Sequence, residues 1–219
     1  MSLDHYLAAV GDWNLRLDEV RAIAEAVDGR VAVGHEVDRA IYRGLHREAV
    51  RQLGELGSDH QAILWTFTDP VDGYQLRVLW WNVWVGQKPE TVLRTVATLV
   101  DQHQPHIVAL CETYRCGKVL GQIPGYRRSR GFFGEGRDIT VLVRRDLNVL
   151  GRSAWRMVVP WVHHVPKTPR VYRRVRLELP SGQRLRFAAV HLPTGGPAGP
   201  SRLAVSESIA RIQRWGRRH

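Results

Sequence analysis

The sequence predicts a single α/β domain, and three observations carry that reading. With 219 residues, 44% of them hydrophobic, the chain suits one domain with a sizeable core and is too apolar for disorder. Short apolar runs of strand length recur along it, separated by a few stretches with helical spacing. Polar residues stand at the ends of those runs, where packed sheets build their sites.

Taken in order, Tyr6 to Val10 reads as a strand entering the polar turn Gly11-Asp12-Trp13-Asn14. On an extended segment Asp12 and Asn14, two apart, point to the same side. Between Arg16 and Val27, the residues Leu17, Val20, Ile23, Ala24 and Val27 make one helical stripe, which Gly29 ends. Val31 to Val33 and Val37 to Tyr42 are strand candidates, the second with Asp38 pointing inward. Ile41 to Leu56 has helix-like spacing. Gly57-Ser58-Asp59-His60 follows, ahead of the buried strand Gln61 to Phe67. An acid beside a histidine at a strand entrance offers a carboxylate that can hold a hard metal or orient the imidazole. The imidazole in turn can take a proton near neutral pH. Alone, the tripeptide reads equally as a polar turn capping a strand.

Thr68 to Gly73 has strong turn chemistry and connects two strands. Leu76 to Trp84 is a strand bearing the polar Asn82. Pro89 opens a helix with Val92, Leu93, Val96, Leu99 and Val100 apolar, and Pro105 closes it. His106 to Cys111 reads as a buried parallel-type strand with Glu112 at its end. Arg115 to Arg137 reads as loop and Ile139 to Val143 as a strand. Val171 to Leu179 and Arg184 to Val190 form a hairpin around Pro180-Ser181-Gly182-Gln183, and its second strand runs into His191. Residues 193–200 read as a Pro/Gly-rich loop and Leu203 to Trp215 as an amphipathic helix.

Charge and cysteine usage narrow the function. Residues 1–73 hold 7 basic and 13 acidic residues, whereas residues 74–219 hold 25 basic and 8 acidic ones. The excess concentrates between Arg115 and Arg186 and is nearly all arginine, which suits bidentate phosphate contacts. A nucleic acid or another polyanion is the partner this implies; the alternative is an arginine-rich solvated surface. Cys111 and Cys116 make neither a disulfide framework nor a zinc site, which points to a reducing cytoplasm. No apolar run has membrane-spanning length, and the first residues lack signal-peptide character.

At this point the residues resemble the endonuclease/exonuclease/phosphatase superfamily. Trp80-Trp81-Asn82-Val83 is similar to its first motif and Ile107 to Glu112 to its second, although Cys111 stands where glutamine is usual. Val190-His191-Leu192, Gly11-Asp12-Trp13-Asn14, Val37-Asp38-Arg39 and Gly57-Ser58-Asp59-His60 resemble the rest. The order differs, because the family's last three motifs come first here. The chain therefore looks circularly permuted, opened between the helix near Trp215 and the strand near Tyr6. In that reading residues 1–67 carry the family's C-terminal motifs, 68–73 form the connector, and 74–219 carry its N-terminal motifs. The whole is one domain, 1–219.

The resemblance implies a four-layer αββα sandwich of two packed mixed β-sheets. It also implies a monomeric Mg²⁺- or Mn²⁺-dependent phosphodiester hydrolase. Glu112 would hold the metal with help from Asn82 or Asp59. His60 would take the proton of the attacking water, or bind phosphate if protonated, with Asp38 fixing its tautomer. Asp12 would orient water or protonate the leaving group. Asn14, His191 and Arg115 would hold phosphate oxygens. A nuclease acting on DNA is the first reading. A phosphatase or phosphodiesterase on a small phosphorylated metabolite or lipid headgroup is the alternative, because the short loops leave little surface to wrap a duplex. An inactive binding module using the basic face fits the complete residue set least well.

Overall fold

Two six-stranded mixed sheets lie face to face in a computed structural model that describes residues 6–129, 138–156 and 171–192, with Ala210 and Arg214. In chain order the elements are β1 Tyr6–Asp12, α1 Leu17–Glu25, β2 Arg30–His35, β3 Asp38–Arg43, β4 His46–Glu55 and β5 Gln61–Thr68. There follow β6 Gln75–Asn82, α2 Pro89–His103, β7 Ile107–Cys111, α3 Gly117–Leu120, β8 Tyr126–Arg128, β9 Ile139–Arg144, β10 Asn148–Arg156, β11 Val171–Glu178 and β12 Arg184–His191. The first sheet runs β10-β11-β12-β1-β3-β2 and the second β4-β5-β6-β7-β9-β8.

Alternation along each strand sorts the side chains into layers. Ala8 and Val10 of β1 and Phe187 and Ala189 of β12 meet Trp65, Val78, Trp80, Ala109 and Val141 of the other sheet in the central core. The opposite faces are covered in turn. Leu7, Ala9 and Val190 pack under Val20, Ile23 and Ala24 of α1. Leu79, Trp81, Val108 and Leu110 pack under Val92, Val96, Leu99 and Val100 of α2. This is the expected four-layer αββα order. Strands covered on both faces read as unbroken apolar runs, as β1 and β7 do.

The helical expectation for Ile41 to Leu56 is wrong. Ile41 belongs to β3, Gly44 turns the chain at φ 79°, and β4 is an edge strand paired with β5. Register shifts between Arg47 and Ala49 and between Gln52 and Glu55 interrupt its two-residue alternation. Leu45 and Val50 pack on the central core while Leu53 and Leu56 pack on the opposite side with the α2 residues, so the apolar positions follow no two-residue alternation. The chain after Cys111 also departs from the loop reading, since α3 and β8 form there. The strand β10, at one edge of the first sheet, was not anticipated. The parallel character of β7 holds toward β6 but not toward β9, its antiparallel neighbour. The expected loop at 193–200, the helix from Leu203 to Trp215 and residues 130–137 lie outside the described residues. Among those described, no helix is long and apolar enough to cross a membrane.

The connector forms a hairpin between β5 and β6, with Thr68 opposite Gln75. Asp69, fully buried at its start, accepts the Val71 N–H and the Tyr6 hydroxyl at 2.9 Å each, and the Ser181 hydroxyl as well. One carboxylate thereby ties the hairpin to β1 and to the β11–β12 turn.

Candidate active site

Strand register assembles the site. Parallel pairing of β1 with β12 sets Asp12 opposite His191, and antiparallel pairing of β1 with β3 sets Asp12 opposite Asp38. Gly11 permits this approach, because a Cβ there would stand 2.2 Å from the Val190 carbonyl oxygen. In the second sheet Asn82 pairs with Cys111, and Cys111 with Ile139. Glu112 and Asp138 therefore emerge side by side at the same end.

The two histidines are each held by an acid. His60 Nδ1 lies 2.9 Å from Asp38 Oδ2, and the other oxygen of Asp38 accepts the Trp80 indole N–H at 2.8 Å. His191 Nδ1 lies 3.0 Å from Asp138 Oδ1. Both rings direct Nε2 at Asp12 Oδ2, at 3.9 Å from His60 and 3.6 Å from His191. His191 Nε2 also lies 3.9 Å from Glu112 Oε1, and Asn82 Nδ2 lies 3.4 Å from Asp12 Oδ2. Asp12, Asp38, His60, His191, Asn82 and Glu112 thus share one cluster, although up to 179 positions separate them in the sequence.

Loops fix the remaining members. The Ser58 hydroxyl donates to the Asn82 carbonyl at 2.6 Å and receives the His60 N–H at 3.1 Å. Asp59 beside it is exposed. Asn14 adopts a left-handed φ of 46° rather than an extended one, and its amide donates to the Leu192 carbonyl at 2.8 Å. Asp12 and Asn14 accordingly leave the strand differently from the two-apart reading. Arg115 is exposed after β7 and, among the described residues, makes no hydrogen bond or ion pair with the cluster.

Burial shapes the electrostatics. Asp12 is 3% exposed, so desolvation raises its pKa; the two histidines pull it back down and Asp38 pushes it further up. The hydrogen bond to Asp38 outweighs the burial of His60 and raises its pKa to about 9. His60 is therefore an imidazolium at neutral pH.

Asp12, Asp38 and His60 place one ligand atom each within 4.8 Å of one another, close enough to share an ion. Their hydrogen bonds argue for a different division. Both oxygens of Asp38 and the Nδ1 of His60 are already engaged. Asp12 Oδ1 is buried with no hydrogen-bond partner among the described residues. Such an orphan calls for a ligand. Carboxylate oxygens of Asp12 and Glu112 lie 3.6 and 3.9 Å from His191 Nε2, and hard oxygens of this kind suit Mg²⁺ or Mn²⁺. Asn82 spends its Oδ1 on the Trp84 N–H at 3.1 Å.

Sequence reasoning missed Asp138 and Trp80. Asp138 carried the same signature as Asp59-His60, an acid at the entrance of an apolar strand. Trp80 had no polar neighbour in sequence to mark its indole as a donor.

No family model matches the sequence, and no curated protein matches it. Solved structures do match. An endonuclease/exonuclease/phosphatase family protein from Bacteroides thetaiotaomicron aligns with TM-score 0.51 and 16% identity over 66% of this chain and 58% of that one. A mannosyl-6-phosphatase of the same organism aligns at 0.50 and 16% over 65% of this chain and 60% of that one. TDP2 of D. rerio, complexed with a single-strand DNA product, aligns at 0.50 and 11% over 71% of this chain and 92% of that one. The match thus spans under two thirds of the two Bacteroides chains. The fold is that of the endonuclease/exonuclease/phosphatase proteins.

Proposed function

We propose that this chain is a divalent-metal-dependent phosphoesterase of the endonuclease/exonuclease/phosphatase superfamily that hydrolyses nucleic-acid phosphodiesters. The observation that carries the reading is Asp12, a buried carboxylate with one orphaned oxygen, set between two histidines that are each fixed by an acid. Glu112, with help from Asp59, would hold Mg²⁺ or Mn²⁺, which supplies charge neutralisation at a phosphate oxygen. In this reading Asp12, made more basic by burial, takes the proton of the attacking water. The water oxygen bonds to phosphorus and the bond to the leaving oxygen breaks. His60 enters protonated and gives that proton to the leaving oxygen as its bond to phosphorus breaks, while His191 borders the phosphate from the other side. Asn82 would orient Asp12, Asn14 would border the phosphate, and Arg115 would meet a flanking phosphate.

The net charge of +11 supports a nucleic-acid substrate. One observation favours the smaller substrate instead. Arg127, Arg128 and Arg173 donate to backbone carbonyls, and Arg144 pairs with Asp146, so these cations serve the fold. A site complete within one chain supports a monomer, and two buried free cysteines suit a reducing compartment. The deciding experiment is a metal-dependence screen on plasmid DNA, single-stranded DNA, RNA, a chromogenic phosphodiester and sugar phosphates. Hydrolysis of sugar phosphates alone would replace the nuclease reading, and no hydrolysis of any would end the phosphoesterase reading.

Circular permutation belongs to the same proposal. Two pairings support it. β5 and β6, the last and first strands in the family's order, are hairpin neighbours joined by a short turn. β12 and β1, consecutive in that order, lie parallel, and parallel neighbours need a crossover of a dozen or more residues. Opening the chain between Val71 and Asp72 and joining residue 219 to residue 1 by a flexible linker should preserve the fold. A chain that no longer unfolds cooperatively would count against it.

A further inference from the structure

We propose that Trp84 is a stacking platform for a nucleobase attached to the scissile phosphate, a role that rests on the phosphodiesterase reading above. Of the five tryptophans whose side chains are described, Trp13, Trp65, Trp80 and Trp81 are fully buried, while Trp84 is 50% exposed. Exposing that much indole forgoes the burial that stabilises the other four. Among the described residues its ring has no aromatic or cationic partner and its indole N–H no acceptor.

The backbone holds Trp84 there under strain. It has a φ of 58°, in the left-handed region that bulky side chains avoid. Strain of this kind persists where the surroundings over-determine it and clusters at ligand clamps. Here the constraint comes from the site itself. The Trp84 N–H donates to Asn82 Oδ1 at 3.1 Å, and the next N–H, of Val85, donates to Glu112 Oε2 at 3.0 Å. The backbone at Trp84 and Val85 is thereby tied to Asn82 and Glu112, two members of the cluster.

The ring also has a prepared seat. A Cβ at Gly86 would stand 3.0 Å from the indole Cη2 and Cζ2, so glycine lets the ring sit against the backbone there without being displaced. About half of the residue's surface remains open to a ligand. The immediate surroundings select the ligand. Val85, 53% exposed, and Gly86 offer no side-chain hydrogen bonds, so they suit a flat apolar face and not a ring of hydroxyls. A nucleobase meets that description, because every base offers a π-face and stacking asks no hydrogen bond of its platform.

The test compares a dinucleotide with its abasic counterpart, which keeps the phosphodiester and lacks the base. Steady-state kinetics are measured for wild type, Trp84→Phe and Trp84→Ala. Stacking of one base predicts a rise in KM of about 5- to 150-fold for the dinucleotide in Trp84→Ala, with kcat little changed. Trp84→Phe should recover most of the loss, and the abasic compound should not distinguish the three proteins. In parallel, the wild-type indole N–H resonance that disappears in Trp84→Phe should shift on titration with the dinucleotide and not with the abasic compound or ribose 5-phosphate. Absence of that shift, or an equal shift with the sugar phosphate, overturns the proposal. If neither compound is hydrolysed, the phosphodiesterase reading fails on its own, and the resonance still decides whether Trp84 binds a base.

Discussion

Replacing Asp38 by asparagine should make the pH dependence of stability visible as a slope. In the folded chain the Asp38 carboxylate holds His60 at a pKa of about 9, against an ordinary 6.5. A group whose pKa is raised on folding stabilises the protein fully below its unfolded pKa. That contribution is lost as pH rises through the folded value. The raised pKa, in which Asp38 is the largest cause, is therefore worth about 3 kcal/mol below pH 6.5, shrinks as pH rises through 8, and is almost nothing by pH 10. Asparagine keeps an oxygen for the Trp80 indole N–H, so any constant cost of the exchange cancels from the slope. Urea unfolding of both metal-free proteins from pH 6 to pH 10 reads the difference. At a typical denaturant sensitivity the gap in midpoint should be on the order of 1 M at pH 6 and should close by pH 10. His106, pushed down to about 4 by burial, is neutral throughout that window and does not blur the result. Parallel stability curves for the two proteins would refute the coupling of His60 to Asp38.

Three further outcomes follow from the site. Glu112→Gln should nearly abolish Mg²⁺ or Mn²⁺ binding by calorimetry while the thermal transition persists; unchanged affinity would remove it from the ligand set. His60→Ala should lower kcat/KM by on the order of 10²- to 10⁴-fold, and adding Asp38→Asn should cost little more, whereas additive losses would separate the two roles. If about five phosphates are neutralised, nucleic-acid affinity should fall with a slope of about −4 to −5 in log K against log salt. A flat response would favour the small-molecule substrate.

Most of the site was legible because its residues sit at strand ends, and strand ends can be located from apolar runs. Asp12, Asn82, Glu112 and His191 were found that way, and the register then brought them together. What failed was legible only in three dimensions. β4 hid because two register shifts break the two-residue alternation that marks a strand. Asp138 went unread because its partner lies 53 residues away, across the gap between the sheets. The bend at Asn14 escaped because a left-handed φ leaves no mark on periodicity. Composition does not reveal which arginines are bonded to backbone carbonyls, as Arg127, Arg128 and Arg173 are.

The bond from Trp80 to Asp38 has a consequence for motion. Trp80 lies wholly within the layer between the sheets, so the acid that grips His60 is moored to the least mobile part of the molecule. The indole proton reaches water only when the sheets part, and its exchange with deuterium should be as slow as global unfolding. Asp38 is paired on both sides within its sheet, whereas His60 sits in the turn before β5. Any opening of the site during turnover should therefore come from the histidine's side, with the carboxylate as the fixed post to which it returns.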